Sequence, residues 1–148
     1  DEVEDHTTIP AQLNTLANIY LNQVSGYKEV ELDAMGMMVS IDGQRYDMAR
    51  IDDQVKKDAY EIWTISINSS MMSTAGHPFH IHSTQFRILS INNELPPKNL
   101  QGLKDTVYIK NGDRVELLVQ FKHQGIFMYH CHILEHEEAG MMAQIEVY

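Results

Sequence analysis

At 148 residues the chain is the size of one ordinary domain, with room for a proper core. Its 43% hydrophobic and 22% charged residues fit a soluble globular protein, and no apolar run approaches a membrane span. The formal net charge of −10 repels nucleic-acid phosphates and anionic membrane surfaces, so neither nucleic acid nor membrane is expected as a partner.

A single cysteine, Cys131, excludes an internal disulfide and leaves one thiol free for chemistry. The chain opens on "DEVED", without methionine and without the charged, apolar and small-residue regions of a signal peptide. Such a start fits a mature or excised piece.

Residues 1–26 are polar, with "TTIPAQLNTLANIY" the one semi-apolar portion, and read as an interdomain linker or lead-in to a domain over 27–148. From Tyr27 onward, short β-type runs alternate with turn signals. "KEVELDAM" alternates, and "MMVSI" runs into Asp42–Gly43, a hairpin pair. "AYEIWTISIN" sets Tyr60, Ile62 and Thr64 against Trp63, Ile65 and Ile67. "FRILSIN" is followed by a loop, "ELPPKN", and "DTVYIKNGDRVELLVQF" reads as strand, Asn-Gly-Asp turn, strand. "GIFMYHCHI" and "MMAQIEVY" complete the set. Regular short strands with little helical periodicity predict an all-β sandwich or barrel with Greek-key connections. The methionines at 35, 37, 38, 71 and 72 are expected as core filler.

Of eight histidines, six fall in two motifs: "HPFHIH" (His77, His80, His82) and "HCHILEH" (His130, His132, His136). Side chains on a strand alternate faces with period two. His130 and His132 therefore point one way and Cys131 the other. His80 and His82 share a face, while His77 has the opposite parity. If the two strands lie side by side, four imidazoles converge on one face and His77 meets Cys131 on the other.

The loop that follows can complete the second face with His136 and Met141. Two imidazoles, a thiolate and a thioether form the donor set of a blue-copper electron-transfer site. A lone "HxH" is common on ordinary strands, a free cysteine is commonly a small buried hydrophobe, and zinc accepts the same N and S donors. Zinc, however, has no need of a thioether or of six histidines in two paired motifs.

"HPFHIHSTQF" and "HCHILEHEEAGM" resemble the two C-terminal copper motifs of the multicopper oxidases: laccases, bilirubin oxidases and bacterial cuprous oxidases. "MMVSIDGQRYDMARID" and "YEIWTISINSS" resemble strands of their last cupredoxin domain, and "TTIPAQLNTLANI" the linker before it. The resemblance implies a cupredoxin-like β-sandwich. It implies that His77, Cys131, His136 and Met141 hold type 1 copper, that His80 is a type 2 ligand, and that His82, His130 and His132 serve the type 3 pair. Glu137 matches an acidic residue that relays protons to bound dioxygen in bacterial members; as a plain residue it is also an ordinary solvated carboxylate. Ser83 departs from the pattern, which usually has glycine after the third histidine.

In the family, the trinuclear cluster also takes four histidines from an N-terminal domain, and only His6 and His123 remain outside the motifs here. The resemblance therefore implies a C-terminal domain or one chain of a split enzyme. Its partner is an N-terminal cupredoxin domain of the same enzyme or of another chain. Electrons from a small reducing substrate (a phenol, an aromatic amine, a bilirubin-like pigment or cuprous ion) would pass from type 1 copper through Cys131 and His130 or His132 to the cluster, where dioxygen becomes water. An extracellular or periplasmic location is expected on the same ground. The alternatives are a single-copper electron carrier, which has no use for four outward imidazoles, a relative that has lost copper, and a copper nitrite reductase.

Overall fold

The computed structural model describes residues 6–11, 16, 21–36, 38–68 and 76–148. Much of the lead-in expected over 1–26 lies outside them, as do Met37, Met71 and Met72.

Eleven strands and one short α-helix are formed by the described residues, besides two 3-10 turns: β1 (Val24–Met35), β2 (Met38–Ile41), β3 (Asp53–Val55), β4 (Tyr60–Ile67), β5 (His77–Ile81), β6 (Phe86–Ile91), β7 (Leu103–Lys104), β8 (Thr106–Ile109), β9 (Arg114–Val119), β10 (Gly125–Cys131), α1 (Leu134–Glu138) and β11 (Met142–Val147). They make a six-stranded sheet in the order β2-β1-β4-β9-β6-β7 and a five-stranded sheet in the order β3-β11-β10-β5-β8. β1 runs parallel to β4 and β3 parallel to β11; the other pairs are antiparallel. The expected all-β sandwich with crossover connections is what forms.

The core lies between the sheets. One supplies Trp63, Ile65, Val115 and Leu117, and the other Phe79, Ile81, Ile109, Tyr129 and Ile145, all at most 1% exposed. Trp63 meets Tyr129 edge to face at 5.3 Å. Buried Trp and Tyr need partners for their polar tips. Trp63 Nε1–H donates to Glu61 at 2.9 Å, and the Tyr129 hydroxyl donates to Asp53 on β3. Lys28 closes the group, 2.5 Å from Asp53 and 5.7 Å from each ring centroid.

Turn chemistry accounts for some departures from the sequence reading. Asp42 and Gly43 take φ 51° and 72° and close a tight turn in which Ile41 and Gln44 exchange two backbone bonds of 2.9 Å. The hairpin between β1 and β2 turns earlier, beyond the Met35–Met38 pair, where Gly36 sits at φ 61°. Asn92 and Asn93, φ 55° and 64°, repeat the device after β6. Met35 and Met38 flank a hairpin tip and are 47% and 62% exposed, so they are not core filler. β-structure begins at Val24, three residues before the expected Tyr27. β3 and β7, three and two residues long, are too short to carry an alternation signal.

Candidate metal centre

β5 and β10 are neighbours, paired Tyr129↔Ile81, His130↔His80 and Cys131↔Phe79. The pairing continues past both strand ends, with His82 N–H on the Met128 carbonyl at 2.9 Å and His132 N–H on the Pro78 carbonyl at 2.7 Å. The pleat then sorts the side chains. His77, Phe79, Ile81, Tyr129 and Cys131 are buried, while the imidazoles of His80, His82, His130 and His132 gather together away from that interior.

On the buried side, His77 and Cys131 are 0% exposed. His77 Nδ1 lies 3.4 Å from Cys131 Sγ and 3.3 Å from His136 Nδ1, and Cys131 Sγ lies 3.8 Å from His136 Nδ1. Three donors bound to one ion at about 2.0–2.3 Å and near 120° stand about 3.5–3.7 Å apart. The triangle therefore fits a trigonal His₂Cys site. Met141 is fully buried, and its carbonyl accepts the Cys131 N–H at 3.1 Å, which ties the fourth expected donor to the strand of the thiol.

Burial sets the protonation of these groups in the metal-free chain. Burial, reinforced by His136, lowers the His77 pKa to about 4, so its imidazole is neutral at pH 7. Burial raises the Cys131 thiol to about 11; a bound metal has to displace that proton. His77 Nε2 is buried and has no hydrogen-bond partner among the described residues.

On the other side, one donor atom from each of His80, His82 and His130 lies within 4.8 Å of the others. His82 Nε2 and His130 Nε2 are 2.9 Å apart. His132 is not one of that close trio, but its ring stands 5.4 Å from that of His80 and 5.3 Å from that of His130. Carbonyls can only accept, so they fix the tautomers. His80 Nδ1–H donates to the Asp105 carbonyl at 2.8 Å, with Thr106 Oγ1 at 3.0 Å, and His130 Nδ1–H donates to the Cys131 carbonyl at 2.9 Å. Both rings are left with an unprotonated Nε2, which is how an outer partner orients a metal-binding imidazole; that of His130 faces His82 Nε2. Burial holds His82 and His130 below the usual imidazole range, and like charge among the rings adds to it.

Glu137 sits on α1 with Oε2 3.5 Å from His130 Nδ1. α1 occupies part of what reads in the sequence as a loop. Asp105 and Thr106, which orient His80, carry no motif that could have singled them out. Ser83 takes φ 60°, the left-handed conformation that glycine adopts without strain.

The multicopper oxidase family model matches residues 9–148. This chain belongs to the multicopper oxidases. It is 45% identical over 120 residues to the multicopper oxidase mco of Staphylococcus epidermidis, an overlap of 81% of this chain and 27% of the relative. It is 33% identical to the cell division protein FtsP of Dickeya dadantii over 93% of this chain and 29% of that one. The multicopper oxidase structure from Pediococcus acidilactici superposes with a TM-score of 0.88 at 37% identity, over 97% of this chain and 30% of the other. The chain thus spans between a quarter and a third of the length of these relatives. The metal that a multicopper oxidase domain implies is copper, and the two donor groups fit it.

Proposed function

We propose that this chain is the C-terminal, electron-accepting domain of a copper oxidase that reduces dioxygen to water. The observation that carries the reading is the double use of β10. Its Cys131 faces His77 and His136, and its His130 faces His80 and His82. Residues 130–132 are then a covalent bridge between two metal sites.

In this reading His77, Cys131 and His136 would hold type 1 copper, and the Met141 thioether would be a weaker fourth donor that tunes its potential. His80 serves type 2 copper, and His82, His130 and His132 serve the type 3 pair. Bound copper supplies reversible one-electron chemistry at the thiolate and the means of dioxygen reduction at the imidazoles. Glu137 holds a proton-accepting carboxylate against the His130 ring, placed to relay protons toward that face. A second cupredoxin domain, of the same enzyme or another chain, contributes the remaining imidazoles. The open cleft of about 730 Å³ lined by His80, His82 and His123 is where it would abut.

The reducing substrate is a phenol, a pigment or cuprous ion, and the setting is extracellular or periplasmic. No helix among the described residues is long and apolar enough to cross a membrane. A single-copper carrier leaves four converging imidazoles without a task. The test is an oxygen electrode: the copper-loaded chain alone is expected to accept an electron from a one-electron reductant without sustained oxygen consumption. Steady four-electron turnover by the chain alone would contradict the shared site.

A further inference from the structure

Two of the four proposed type 1 donors share one short segment, His136 within α1 and Met141 just past its end. α1 is five residues long, buries none of them, and has no side-chain cap at Ile133. A helix that short is marginal on its own, although the Ala139, Gly140 and Met141 N–H groups close back on the carbonyls of Glu135, Glu137 and His136 at 3.2, 3.0 and 2.9 Å. The next two carbonyls, of Ala139 and Gly140, are taken up from outside. Arg45 donates from Nε to the Ala139 carbonyl at 2.9 Å and from Nη2 to the same oxygen, and Tyr46 N–H donates to the Gly140 carbonyl at 2.9 Å. The contact is close: Gly140 is at φ 101°, and a Cβ there would lie 3.4 Å from Arg45 Cβ and from Tyr46 N.

The segment that supplies Arg45 is itself anchored to β11. The Gln144 side-chain amide donates to the carbonyls of Asp47, Met48 and Arg50 at 3.2, 3.1 and 2.7 Å. Asp52 accepts the Gln144 N–H at 2.7 Å and returns its own N–H to the Gln144 carbonyl at 3.0 Å. Arg50 bonds Asp52 at 2.5 Å and the Arg45 carbonyl at 2.8 Å. An irregular segment is thus held by a polar network, and it leads to the turn between His136 and Met141.

We infer that residues 45–52 are an external strap on the copper centre and that Arg45 is a positioning residue, fixing His136 and Met141 relative to Cys131. The inference rests on the copper-centre reading above. Arg45 is exposed, so its loss scarcely changes global stability while freeing the ligand turn. Loss of an outer partner of a metal site costs affinity on the order of tenfold or more.

The test compares the copper-loaded chain with its Arg45→Met and Arg45→Lys variants. Arg45→Met keeps the aliphatic stem but neither donor; Arg45→Lys can restore one. Arg45→Met is expected to release copper to a chelator about tenfold faster, with a shifted thiolate-to-copper band and an unchanged denaturation midpoint, and Arg45→Lys is expected to fall between. A wild-type chain with no thiolate band would overturn the copper-centre reading and the strap with it. A wild-type band left unmoved in Arg45→Met, with the same release rate, would overturn the strap alone. An equal loss of band and fold in both variants would mark Arg45 as merely structural and would also overturn it.

Discussion

Tyr129→Phe removes one oxygen from the centre of the sandwich. The ring is 1% exposed, packed on Trp63 and Phe79, and phenylalanine keeps those contacts. What goes is the hydroxyl donated to Asp53, the bond that ties β3 to β10. A hydrogen bond to a charged group contributes about 1.5–3 kcal/mol. Asp53 is still 21% exposed at its side chain and keeps Lys28 at 2.5 Å, so water can replace the lost donor and the charge stays paired. The loss should therefore sit at the low end, about 1.5 kcal/mol, or about 3–6 °C in Tm for a domain of this size. Asp53→Ala should cost more, about 3 kcal/mol, because it leaves Lys28 without its closest carboxylate and the phenol without an acceptor. Urea denaturation reads both, with an unchanged m-value as the check that only stability moved. If Tyr129→Phe proved neutral or stabilising, the reading of the Lys28–Asp53–Tyr129 group as a structural tie would be wrong.

Ser83→Gly should stabilise by up to about 1 kcal/mol, because the left-handed conformation at φ 60° strains any side chain and glycine's greater unfolded-state entropy offsets only part of the relief; a thermal melt showing a loss would count against it. In the metal-free chain, the His77 pKa of about 4 lies below the ordinary 6.5, so the unfolded state binds more protons between those values. Stability then falls as pH drops from 6.5 toward 4, by about 3 kcal/mol from this group, and denaturation midpoints should show a slope there that His77→Gln flattens. Met141→Leu should retain copper and raise the reduction potential by removing the axial thioether. Gross loss of copper in that variant would make Met141 a principal ligand.

The two donor groups of the candidate metal centre were legible because a strand has a period of two. "HCH" must split its thiol from its imidazoles whatever the neighbours do, and "HPFHIH" must set His77 apart from His80 and His82. Pairing of β5 with β10 then brought the halves together as the parity required. Elements made of few residues were not legible. α1 is less than two turns long, so its Leu-Glu-His-Glu-Glu run offered no helical periodicity, and β3 and β7 are recruited by the edges of existing sheets. The 45–52 segment depends on Gln144, nearly a hundred residues away, and no local pattern announces such a bond. Met35 and Met38 show the opposite case: residue type suggests core, but their place at a hairpin tip decides their exposure.

The central claim is that Cys131 binds copper as a thiolate with His77 and His136. The most direct measurement is the visible absorption spectrum of the copper-loaded chain, with copper per chain determined on the same sample and on Cys131→Ser. An intense blue band with about one copper per chain, lost in Cys131→Ser while the fold persists, is the predicted result. A colourless chain, a preference for zinc, or a thiolate-type band that survives the substitution would contradict it.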